Sequence, residues 1–130
     1  MNKENQKIKT FTDLKVWQEG HKLVILIYKI TKKFPSDEIY GLVSQMRRSA
    51  VSITSNVAEG FGRQGMKDKI KFYYMAQGFL TELKNQLLIS NDLDYIKNSE
   101  FKDIAEKANL VHALLQGLIK KSKEFLNHKS

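Results

Sequence analysis

Apolar residues recur every three to four positions along most of the chain, which is the period of an α-helix. Between positions 13 and 33, Leu14, Trp17, His21, Val24, Tyr28 and Thr31 share one face. Val16, Gly20, Leu23, Ile27 and Ile30 form a second stripe beside it. Together the two stripes cover more than half the circumference, whereas a helix of a lone bundle needs one apolar face. The width predicts a central helix or a subunit contact. Thr12 is the expected cap, with Asp13 at the positive end. Phe34-Pro35 ends the helix, because the residue before proline is pushed out of helical geometry.

A second helix is expected from a Ser36 cap, with Asp37 and Glu38 in its first turn. Its core stripe is Ile39, Leu42, Val43, Met46, Ala50, Ile53, Val57 and Phe61, and Gly60, Gly62 and Gly65 mark its end. A third runs over 66–92 on Ile70, Tyr73, Leu80, Leu83 and Leu87, flanked by Phe72, Ala76 and Phe79. After a polar link over 94–99, a fourth capped by Asn98 or Ser99 carries Phe101, Ile104, Ala108, Val111, Leu115, Leu118 and Phe125 to about Leu126. Short connections turn consecutive helices antiparallel. The expected fold is therefore all-α: an antiparallel up-down-up-down four-helix bundle over 11–127. Residues 1–10 are polar and aperiodic and are expected to be disordered; 128–130 are expected to form a flexible tail.

Composition narrows the function. The single proline and seven glycines among 130 residues break few helices. With no cysteine, disulfides, thiolate metal sites and Cys nucleophiles are excluded. The longest apolar run, Leu23 to Tyr28, falls far short of the roughly 20 residues that span a bilayer, so no membrane partner and a cytoplasmic home are expected. The net charge of +8 favours acidic partners, nucleic acid above all, although positive charge is also a solubility device.

The unusual segment is Gln45 to Gly60. Gln45, Ser49, Ser52 and Asn56 recur at helical spacing and make a small polar stripe beside the apolar one. Such side chains let another helix approach and hydrogen-bond across the seam; alternatively they line a polar groove with Arg47 or Arg48 at its top. Arg48 and Glu59 lie too far apart along one helix to pair, so each needs a partner on another helix, with Glu82 the obvious carboxylate. Glu59 and Glu82 stand in apolar surroundings, but a structural ion pair explains them better than acid–base catalysis. His21 and His112 fall on or beside core stripes, where core packing is the ordinary role. No Glu-x-x-His repeat suggests a metal, and no cofactor is expected. The Gly60–Gly65 loop lacks a Lys-Ser/Thr ending and follows a helix, so it is not a phosphate-binding loop. No Arg precedes a His at the spacing of helical ribonuclease toxins. Nothing points to an enzyme.

The basic residues cluster. Arg63, Lys67, Lys69 and Lys71 stand against Asp68 alone, and Lys120, Lys121, Lys123 and Lys129 against Glu124 alone. These clusters are expected at opposite ends of the bundle, so one subunit offers no continuous footprint. A ring of subunits would multiply each patch. Phe72, Tyr73 and Tyr74 adjoin the first cluster and are candidates for base stacking or, by their spacing, for the core.

Three segments carry a family resemblance: Phe11-x-Asp13-Leu14-x-Val16-Trp17-Gln18, Phe34-Pro35-x-x-Glu38-x-Tyr40-Gly41-Leu42, and Gln45-x-Arg47-Arg48-Ser49-Ala50-Val51-Ser52-Ile53-x-x-Asn56-Val57-Ala58-Glu59-Gly60. Glu82-Leu83 and Leu87 continue it, and it covers about 11–119. The chain resembles the 23S rRNA intervening sequence proteins. The resemblance implies a four-helix bundle assembled as a homopentameric ring. Relatives are encoded within bacterial 23S rRNA genes; others resemble accessory proteins of diversity-generating retroelements, which bind nucleic acid and a reverse transcriptase. Where members often read Ala-Arg-Gly-Ser, this chain has Ala76-Gln77-Gly78-Phe79 and so loses a cation. An outward Phe79 would strengthen a subunit contact. The expected function is a non-enzymatic homo-oligomer that binds RNA or DNA backbone through Arg47, Arg48, Arg63, Lys67, Lys69 and Lys71. The rival is a protein-interaction scaffold built on the wide face of the first helix and the stripe Gln45, Ser49, Ser52, Asn56, Glu59 and Glu82, with a reverse transcriptase as one possible partner.

Overall fold

The computed structural model describes residues 7–129, so most of the N-terminal stretch expected to be disordered, residues 1–6, and the terminal Ser130 lie outside it. The described residues form four α-helices and no strand: α1 (Lys15–Thr31), α2 (Ser44–Gly62), α3 (Met66–Asp92) and α4 (Asn98–Lys129). Each helix packs on two others: α1 and α3 both touch α2 and α4. No described helix is long and apolar enough to cross a membrane.

One core joins all four. Leu23 and Ile27 of α1, Met46 and Ile53 of α2, Leu80, Leu83 and Leu87 of α3, and Ile104 and Leu115 of α4 are almost wholly buried. Each such side chain contributes roughly 1.5–3 kcal/mol by leaving water. Cross-helix contacts fix the register. Lys33 pairs with Glu100 at 3.0 Å, and Lys107 with Glu19 at 3.4 Å. Ser90 Oγ donates to Met46 Sδ at 3.3 Å. At the turn between α2 and α3, a Cβ on Gly60 would lie 2.8 Å from a Tyr73 ring carbon, so only glycine lets the helices close there.

The helix starts differ from expectation. Thr12 lies inside a 3-10 turn, Phe11–Asp13, and Leu14 precedes α1 with no side-chain cap. Asp13 instead accepts backbone N–H bonds from Lys9 and Thr10, which hold its carboxyl below the usual carboxylate range. The second helix does not run on from Ser36. A 3-10 turn, Ser36–Glu38, leads to a π turn, Ile39–Val43, in which Gly41 leaves helical geometry (φ −112°, ψ −110°). Glu38 supplies the cap: its Oε1 accepts from Leu42 N–H, while Oε2 accepts from the Tyr95 hydroxyl.

α1 is less central than its width suggested. It has only α2 and α4 as neighbours, so the stripe around Leu23 and Ile27 is buried and the other lies at its edge. His21 is exposed and stacks on Trp17 with ring centres 4.8 Å apart, and Tyr28 is exposed too. Phe79 does not point outward; it is half-buried against the core.

Candidate nucleic-acid interface

The six cations expected to meet nucleic acid divide into three groups. Arg47 and Lys69 cover helix ends. Arg47 Nε donates to Thr31 Oγ1 at 3.0 Å, one Nη donates to the Tyr28 carbonyl at 3.4 Å, and the guanidinium lies over the Tyr28 ring. It thereby caps the last turn of α1, whose carbonyls lack helical partners. Lys69 Nζ donates to the carbonyl of Phe61 at 2.5 Å and reaches that of Gly60, closing α2 in the same way. Burial pushes its amine below the ordinary lysine value. Arg63 is partly engaged: it pairs with Glu59 at 3.5 Å and lies over the Phe72 ring. Arg48, Lys67 and Lys71 project into solvent.

The two basic clusters share one end of the molecule, contrary to expectation. Lys123 Nζ sits 4.9 Å from the Tyr74 ring centre, and Lys67 and Lys123 line one depression of about 300 Å3 with Ile70, Leu126 and Asn127. A second depression of about 430 Å3 adjoins it, sharing Lys123 and Asn127 and adding Tyr74, Gln77, Gln116, Ile119, Lys120 and Glu124. The expectation failed because α3 begins beside the end of α4, so the clusters lie on facing turns of neighbouring helices. A single chain therefore carries two adjoining depressions that form one basic groove. Lys67, Lys120 and Lys123 rim it, Tyr74 and Ile119 give an apolar floor, and two glutamines supply amide donors and acceptors. Of the three consecutive aromatics, Tyr73 is buried, Phe72 half-buried and Tyr74 exposed at 42%. Of the three, Tyr74 alone is exposed, and its ring lies under Lys123 at the edge of the groove.

Gln77 and Gln116 escaped the sequence reading as site residues, and Tyr74 entered it only as one of three stacking candidates, although a signal existed. Lys67, Ile70, Tyr74 and Gln77 repeat at three and four residues, as do Gln116, Ile119, Lys120, Lys123 and Asn127. Such repeats line one helix face.

The polar stripe of α2 does not bridge helices as expected. Gln45 is exposed, Ser49 buried, and Ser52 and Asn56 half-buried. Asn56 Nδ2 donates to the Ser52 carbonyl, one turn back in the same helix. Glu59 and Glu82 are exposed, not in apolar surroundings. Glu59 meets Arg63, the residue that follows its own helix, and no ion pair joins Arg48 to Glu82 among the described residues. The α1–α2 approach rests instead on Gly20, where a Cβ would lie 3.0 Å from Thr54 Cγ2.

The family model of the 23S rRNA-intervening sequence proteins matches residues 12–117. The chain belongs to this family. A solved structure of similar fold is a protein of unknown function from the S23 ribosomal protein family of Bacteroides thetaiotaomicron VPI-5482. It is 22% identical, has a TM-score of 0.75, and the match covers 81% of this chain and 95% of that one. No curated protein matches the chain. The segment from Gln45 to Gly60 lies within the matched span, as does the groove between α3 and α4 up to Gln116, whereas Ile119, Lys120, Lys123 and Asn127 lie beyond it.

Proposed function

We propose that this intervening sequence family member is a non-enzymatic, cytoplasmic homo-oligomer that binds RNA or DNA backbone through the groove between α3 and α4. The observation that carries the reading is the convergence of Lys67, Lys120 and Lys123 beside the exposed Tyr74. Clustered cations gain affinity by releasing counterions from a polyanion, and an exposed aromatic adds base stacking. Lys71 and Arg63 extend the field on the α2–α3 side. The proposed topology is antiparallel throughout. It is supported by Lys33 meeting Glu100, Met46 meeting Ser90, and Lys123 meeting Tyr74, each of which joins the end of one helix to the start of its neighbour. A ring, pentameric as in the family resemblance, would repeat the groove around an axis and raise avidity.

A second reading has its own observation. At the far end, Tyr28, Ile39, Tyr40, Val51 and Arg48 line a depression of about 810 Å3, with Tyr40 97% and Ile39 53% exposed. Exposed apolar surface of this kind marks a protein contact, either with another subunit or with a partner such as a reverse transcriptase.

The deciding experiment titrates nuclease-treated protein with short RNA and DNA, single-stranded and duplex, beside light scattering for subunit number. Binding that disappears when Lys67, Lys120 and Lys123 become Glu supports the first reading. Absence of binding at low salt leaves the protein-contact reading in front.

A further inference from the structure

Further along the α3–α4 seam, beyond the basic groove, Lys84 Nζ lies 2.7 Å from His112 Nδ1. Both side chains are half-buried, and Lys84 forms no ion pair among the described residues. This is unusual for a lysine in an otherwise charge-rich surface, where a carboxylate is the common partner. When the amine donates to Nδ1, the ring proton sits on Nε2 and the imidazole is neutral. Burial lowers the pKa of both groups, and the charge of Lys84 lowers that of His112 further. Beside the amine opens a depression of about 170 Å3 lined by Leu87, Leu88, Phe101, Ala105, Ala108 and Asn109. It has room for a short acyl chain.

We propose that Lys84 is a site of covalent acylation by short-chain acyl donors, acyl phosphates or thioesters, with His112 as the base. Desolvation favours the neutral amine, which is the nucleophile. Its ammonium form first gives one proton to solvent. The Nζ lone pair then attacks the acyl carbon, forming the N–C bond. As that bond forms, the nitrogen becomes acidic and passes its second proton to His112 Nδ1. The tetrahedral adduct collapses by breaking the carbon–oxygen bond of the acyl phosphate, or the carbon–sulfur bond of the thioester, and phosphate or thiolate leaves with the electron pair. His112 then returns its proton to solvent or to the leaving group. No oxidant or metal enters the balance. The product amide is uncharged, and its acyl chain lies against Leu88 and Phe101. Other lysines of α4 lack this combination: Lys107 is held by Glu19 of α1, and Lys120 and Lys123 stand in the open groove.

The test incubates the full chain near neutral pH with acetyl phosphate in one arm and acetyl-coenzyme A in the other, and follows each lysine by peptide-mapping mass spectrometry. Lys84 should be acetylated several-fold faster than the exposed Lys102 and Lys121. The arm in which this happens identifies the donor class, and selectivity in both arms supports the shared chemistry. His112→Gln, checked for helicity by circular dichroism, should slow Lys84 several-fold and leave Lys102 and Lys121 unchanged. Acetylation of Lys84 no faster than the exposed lysines in the unmodified protein overturns the proposal. An unchanged Lys84 rate in His112→Gln overturns the role of the base.

Discussion

Lys123 Nζ of α4 lies 4.9 Å from the centre of the Tyr74 ring of α3. The contact brings the last turns of α4 against the first turns of α3, and with them two basic clusters separated by some fifty positions in sequence. Tyr74→Ala should therefore weaken binding of single strands by about 1–3 kcal/mol, the usual worth of one stacked base. Duplex binding, which uses phosphates, should change much less. Fluorescence anisotropy with matched single-stranded and duplex oligonucleotides measures both.

Lys67 and Lys69 look alike in sequence but should behave differently. Lys69→Met removes the amine that closes α2 through the Phe61 carbonyl, costing about 1 kcal/mol of stability. Lys67→Met should leave the melting temperature nearly unchanged and reduce nucleic-acid affinity. A melting curve and a binding curve for each variant separate the two roles.

That pair also shows what the sequence could convey. The apolar period located α3 to the residue and the bounds of α1 and α4 nearly as well, because burial selects one face of each helix, but it started the second helix at Ser36, whereas α2 begins only at Ser44, after the kink at Gly41. The roles of individual cations depend on phase. Two residues turn a helix by about 200°, so Lys69 reaches back to α2 while Lys67 faces α4. One residue, a rotation of about 100°, separates Arg47, which caps α1, from Arg48, which projects outward. Composition counts all four equally. The groove was hidden for a related reason: its two walls come from different helices, and only their packing brings Gln77 opposite Gln116. Glu38 was overlooked as a cap because Ser36 is the better capping residue by preference, whereas the kink at Gly41 selects the carboxylate.

Asp94 ends α3 with φ 62°, the only positive φ among the described non-glycine residues. Tyr95 N–H donates to the Ser90 carbonyl and Asp94 N–H to that of Asn91, the bonding of a Schellman end. Glycine fits this position without the cost of a side chain in left-handed geometry. Asp94→Gly should stabilise the protein by about 1 kcal/mol, read as a rise in melting temperature. A fall would contradict the assignment.

Gly60 should tolerate no side chain. A Cβ there would lie 2.8 Å from Tyr73 Cε1 and 3.0 Å from Phe72 Cβ. Gly60→Ala should destabilise by about 1–3 kcal/mol, as overpacking does, even though alanine favours helices. Chemical denaturation of both proteins gives the difference.

Acid should loosen α1 from α4. The ammonium groups of Lys22 and then Lys107, paired with Glu19 at 3.1 and 3.4 Å, hold its carboxyl below its ordinary pKa, against the opposing effect of burial. A carboxyl whose folded pKa is depressed stabilises fully above its unfolded value, about 4.3, and that stability is lost as pH falls through the folded value. The melting temperature of the wild type should therefore fall below about pH 4.3, and Glu19→Gln should flatten that limb. Equal acid sensitivity in both proteins would assign the loss to other carboxylates.

The central claim, that the α3–α4 groove carries the nucleic-acid contacts, is tested most directly by the salt dependence of binding. Affinity for a short DNA duplex is measured across a salt series for the wild type and for Lys67→Glu/Lys120→Glu/Lys123→Glu. Each phosphate contact contributes about −0.9 to the slope of log affinity against log salt. The account predicts a steep negative slope for the wild type, and weaker binding with a slope shallower by about two to three units for the variant. Wild-type affinity and an unchanged slope in the variant would contradict it.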